Sequence, residues 1–263
     1  MNSVLLEDME IPQIRWGADG IRLEPTPKRV RAFAGGELMV DSTHAVMMLE
    51  TGHLPVYYFP KQDVRMDLMV PAASPRPAGR KGPATLWSVE TGSRIVGDAF
   101  FSYEEAPAGC PELSGLIGMY WARMDIIFEE EEEVFGHARD PSHRVEVLRS
   151  SRHIRVASGD TTLAESTRTV MLLETHLPSR FYIPKLDVHF NELRATDTTS
   201  MCPYKGHATQ YWATKDGATD IAWCYPAAKL EVSLISNHVA FYSEHLDLYV
   251  DGVLQEEEQT PFS

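Results

Sequence analysis

A chain of 263 residues, 43% of them hydrophobic, is long enough for two ordinary domains and too apolar for wholesale disorder. Its formal net charge of −14 excludes the broad basic surface that a long polyanion requires, so no nucleic acid is expected as a partner. No apolar run approaches the roughly 18 residues that span a bilayer, and three irregularly spaced cysteines make no disulfide framework; a soluble cytoplasmic protein with no membrane partner is expected.

Residues 1–20 precede the first patterned segment and read as an N-terminal arm. Gly35-Gly36 then suits a tight hairpin, whose central residues take positive φ. Val46 to Leu49 is short and apolar throughout, the pattern of a strand buried on both faces. Tyr57-Tyr58-Phe59 is a further strand, stopped by Pro60. The run Glu129 to Glu133 reads as a solvated loop, and 136–143 as a linker. In the second half, Ile154-Arg155-Val156 alternates apolar with polar and Ser158-Gly159-Asp160 turns the chain. Further strands are expected at Val170 to Leu173, Phe181 to Ile183, Ile221 to Tyr225, His238 to Tyr242 and Leu246 to Val250. Asp251-Gly252 is a turn, and Leu230 to Ser236 suits a short helix. Seven or eight short strands per half, with little helix, predict paired antiparallel sheets.

The two halves repeat one another. Ser42-Thr43, Val46 to Thr51, His53-Leu54-Pro55 and Tyr57 to Lys61 return as Ser166-Thr167, Val170 to Thr175, His176-Leu177-Pro178 and Phe181 to Lys185. Downstream, Lys81-Gly82 and Trp87 match Lys205-Gly206 and Trp212, and Ala99-Phe100 is matched with Ala222-Trp223. The repeat places one domain at 21–135 and a second at 144–263, a pseudo-dimer joined in one chain.

Several segments of the second copy carry a family resemblance. They are Arg152-His153-Ile154-Arg155, Leu172 to Thr175, Tyr182 to Val188, Cys202-Pro203-Tyr204-Lys205-Gly206, Trp223-Cys224-Tyr225-Pro226 and Val239 to Tyr242. They resemble the DUF427 family, also labelled nucleotidyltransferase-like, with Cys-Pro-Tyr-Lys-Gly as the most specific element. The resemblance covers nearly all of the second copy and, more weakly, the first. It implies a β-tent-like fold of two leaning antiparallel sheets. Relatives of that fold hold zinc between two Cys-x-x-Cys pairs, which this chain lacks, so no metal is expected. There is no Gly-rich phosphate loop to support nucleotidyl transfer.

The site candidates lie in the second copy. Pro203 and Gly206 mark a loop carrying Cys202, Tyr204 and Lys205. Lys205 suits an anionic substrate or an amine nucleophile, Tyr204 a proton donor, and Cys202 a ligand contact, a nucleophile if its setting stabilises the thiolate, or a packed thiol. The first copy reads Ala78-Gly79-Arg80-Lys81-Gly82 there, so the motif is degenerate in it. Tyr182, Trp212, Trp223 and Tyr225 serve either as pocket walls or as core. Glu174 sits beside a buried strand and serves either as a general base or in a structural salt bridge with Arg152 or Arg180, and all three are candidate ligand contacts. The function expected from these residues is binding of a small anionic or aromatic molecule, with cofactor-free catalysis by Tyr204 and Lys205 as an extension. The alternative is a non-catalytic module that binds a protein or peptide.

Overall fold

The computed structural model describes residues 15–16, 20–72, 76–79, 81–92, 94–105 and 110–256. Most of the expected arm 1–20, and Arg80 of the first-copy loop, lie outside these residues. The chain divides into two compact units, Met1–Asp140 and Pro141–Ser263. Both are mainly β, and the strand pairs are antiparallel.

In the first unit a nine-stranded sheet accompanies a four-stranded one. In the second a seven-stranded sheet accompanies another of four, with a small two-stranded hairpin, Ser200–Cys202 and Gly206–Ala208, beside them. Each unit holds more strands than the apolar runs suggest. Edge pairs such as Glu132–Glu133 and Val253–Leu254 are too short and exposed to leave a hydrophobic period. The expected helix at Leu230 is a 3-10 segment, Leu230–Ile235, with non-helical backbone at Val232.

The unbroken apolar strands have a direct cause: the long sheet is covered on both faces. Along Val46–Leu49, Met47 and Leu49 join the cluster with Val30, Ala32, Met39 and Ile127, while Val46 and Met48 join Leu23, Tyr58 and Phe101 on the other face. The second unit repeats this. Met171, Phe181 and Ile183 pack with Ile154, Val156 and Leu163 of the four-stranded sheet. Val170, Leu172 and Tyr182 face the opposite way, toward Tyr211, Trp223, Tyr225 and Ile235. Successive residues of a strand point to opposite faces, so two covers demand apolar residues at every position.

The hairpins follow their turn residues. Gly35 and Gly36 both have positive φ between paired Ala34 and Glu37. Asp251 and Gly252 do the same between Val250 and Val253. Their counterpart in the first unit begins at Glu130, also at positive φ. The acidic run is therefore no simple solvated loop: Glu129 is buried, accepting from Tyr57 Oη at 2.7 Å and pairing with Lys28.

Strand register also shifts the downstream match between the copies by one residue. Trp87 lies opposite Phe100, and Trp212 opposite Ala222. Phe101 thus corresponds to Trp223, and Ser102 to Cys224. Matching aromatic to aromatic by type misplaced these residues, and in a strand a one-residue slip exchanges the two faces.

Candidate functional site

Two groupings in the second unit gather the candidate residues. The first lies on the outer face of the seven-stranded sheet. Glu174 ends the strand Thr169–Glu174, and the Lys205 ammonium forms an ion pair with its Oε2. His143 Nε2 lies 3.0 Å from Glu174 Oε1. The ring of Tyr204 stacks on His143 at 4.2 Å between centroids. The side chains of Lys205 and Glu174 are only 12% and 7% exposed. Gly206 allows this turn: its φ is +102°, and Lys229 N donates to Lys205 O beside it at 3.0 Å.

The carboxylate partner of Glu174 differs from both arginines expected from the sequence. Arg152 meets Asp251 Oδ2 at 2.9 Å on the exposed turn. Arg180 pairs with Glu244, donates to Ser243 Oγ at 2.7 Å, and lies over the Trp223 ring at 5.7 Å. Lys205 is distant from both in sequence, and only the Ser200–Ala208 hairpin brings it to Glu174.

The first unit repeats the pair. Lys81 reaches Glu50 Oε2, again 31 residues apart, and Gly82 again has positive φ. This explains why Lys and Gly persist in both loops while Cys and Tyr do not. In both units the pair ties the loop to the carboxylate that follows or ends the strand.

Tyr182, Trp223 and Tyr225 are buried in the outer-face cluster, with half-buried Cys202 packed against it. Burial pushes the phenols of Tyr182 and Tyr225 well above their ordinary range. Burial likewise pushes Tyr242 up to about 12, aided by nearby Tyr211. Tyr182 and Tyr225 belong to the outer-face cluster, and Tyr242 packs against it.

Trp212 stands apart from them. It packs on the inner-face cluster, because it neighbours Tyr211 in the strand and must point the other way. It lines a cleft of about 360 Å³ with Lys185, Phe190, Thr196, Gln210 and Tyr211. Leu193–Thr196, the edge strand of the seven-stranded sheet, borders it. The Phe190 and Trp212 rings lie 5.3 Å apart between centroids. Lys185 Nζ donates to Gln210 Oε1 at 2.7 Å. Buried Cys224 is nearby: burial raises its thiol above the ordinary range, and the Lys185 charge opposes that rise. Tyr204, Lys205 and Glu174 do not line this cleft.

Sequence reasoning missed His143, Lys185, Phe190 and Gln210. Lys185 left a signal, since Pro-Lys closes the same strand in both copies at Pro60-Lys61 and Pro184-Lys185. His143 left none. Among the described residues no group of three or more His, Cys, Asp or Glu is placed to hold a metal, and no helix is long and apolar enough to cross a membrane.

Two repeated, mainly β units with the same strand register define a tandem-domain protein. The chain belongs to the family of the domain of unknown function DUF427, which matches residues 22–130 and again 146–252. Comparison with curated proteins found no match.

Proposed function

We propose that the second unit binds a small molecule in the cleft at Lys185, Phe190 and Trp212. The observation that carries this is the cleft itself, a concavity of about 360 Å³ lined by two aromatic rings in tilted contact with each other and by a lysine. Ligand sites are concave, mostly apolar, and carry few polar groups that fix orientation. Lys205 and Tyr204 support the unit by clipping the Ser200–Ala208 hairpin onto the sheet, and contribute no chemistry to the ligand in this reading.

The test is a ligand-observed NMR screen of small aromatic and aliphatic fragments on the full chain and on Phe190→Ala. Phe190 is 36% exposed, so its truncation leaves the core intact. Fragments whose saturation transfer is lost in Phe190→Ala support the cleft. A screen with no such fragment sinks it.

A further inference from the structure

The two copies differ most tellingly at the donors around this cleft. In the first unit both are consumed internally. Trp87 Nε1 donates to Ser102 Oγ at 3.0 Å, and Lys61 Nζ lies 3.6 Å from Glu104 Oε1. The strand register makes Trp212 the counterpart of Trp87, and Cys224 that of Ser102. A thiol replaces the hydroxyl acceptor, and among the described residues Trp212 Nε1 meets no protein acceptor. Lys185, the counterpart of Lys61, meets no carboxylate among them; its partner is the neutral Gln210 amide. In a chain of net charge −14, this cleft is therefore lined by a lysine without a carboxylate partner and by an indole whose N–H meets no protein acceptor among the described residues.

We propose that the cleft takes a planar aromatic carboxylate, its ring against Phe190 and Trp212 and its anion on Lys185. This rests on the ligand-binding reading above. Rings offer a flat apolar face to another ring. A single ammonium with one added N–H matches a monoanion, whereas a phosphoryl dianion calls for an arginine fork or a row of backbone donors. Cys224 sets the selectivity by leaving the indole N–H to the ligand.

Isothermal titration of the full chain with 2-naphthoate, 2-naphthamide and cyclohexanecarboxylate tests this. Naphthoate is expected to bind about tenfold tighter than naphthamide, the scale of one charge-assisted contact, and tighter than cyclohexanecarboxylate, which keeps the anion and lacks the flat aromatic face. Lys185→Met should erase the advantage over naphthamide and leave naphthamide unchanged. Cys224→Ser, nearly isosteric, restores an acceptor for the indole and should weaken naphthoate several-fold. Lys61→Met, in the first unit, should change nothing. Equal affinity for naphthoate and naphthamide, or an advantage that survives Lys185→Met, overturns the proposal. If naphthamide binds without any preference for the anion and Phe190→Ala abolishes it, the anion falls while the cleft stands. If none of the probes binds, the carboxylate proposal falls; if the fragment screen is also empty, the cleft falls with it.

Discussion

Lys205 and Glu174 form a nearly buried ion pair that Lys81 and Glu50 repeat in the other unit with the same 31-residue separation. The repetition identifies a structural device. It fastens the loop that carries the lysine to a carboxylate at the end of a strand of the long sheet. A carboxylate taken from water beside an apolar cluster needs such a partner, and in the second unit His143 supplies another.

Removing one partner should therefore cost more than removing both. Lys205→Met alone leaves Glu174 mostly buried with His143 as its remaining partner, and is expected to destabilise the second unit by about 2 kcal/mol. The double variant Lys205→Met/Glu174→Leu should recover much of that loss. Urea unfolding followed by tryptophan fluorescence measures both, and a single variant as stable as wild type would contradict a clip.

Asp187 gives a pH dependence. The Arg168 guanidinium holds its carboxyl below the ordinary value of 3.8, with further help from Ser166 Oγ at 2.6 Å. A carboxyl with a depressed folded value contributes stability above its unfolded value and loses it as pH falls through the folded one. Arg168 is largely exposed, so the contribution is modest. Asp187→Asn should lower stability by about 1 kcal/mol at pH 7, and the difference from wild type should close below about pH 4. A difference that stays constant down to pH 3 would remove the ionic cause.

The acidic run of the first unit divides into one buried residue, Glu129, and exposed neighbours. Tyr57 donates to Glu129 in the core, and burial raises the Tyr57 phenol well above its ordinary range, so it remains a donor. Tyr57→Phe should destabilise the first unit by about 2 kcal/mol, the scale of a buried bond to a charged acceptor. Glu132→Gln, at an exposed edge, should change stability by less than about 0.5 kcal/mol. Equal losses from the two variants would refute this division.

The sequence by itself determined the duplication, the β class and the doubly buried strands. Each of these is written in local order: identities in register, short apolar runs, and Gly-Gly or Asp-Gly at the turns. It also singled out Glu174 and Lys205, because a charge beside an apolar run and a Lys-Gly kept in both copies are visible along the chain. Tertiary structure alone decided which face each residue meets and what it meets there. Glu174 finds Lys205 and His143 instead of an arginine, since the turn of the Ser200–Ala208 hairpin brings Lys205 to the end of its strand. Trp212 packs on a different cluster from Trp223 and Tyr225, since strand alternation turns it to the face opposite Tyr211. The correspondence of Ser102 with Cys224, on which the freedom of the Trp212 indole depends, is fixed by hydrogen-bond register between strands. Composition cannot carry that information, because register is a relation between distant segments and a shift of one residue reverses every face.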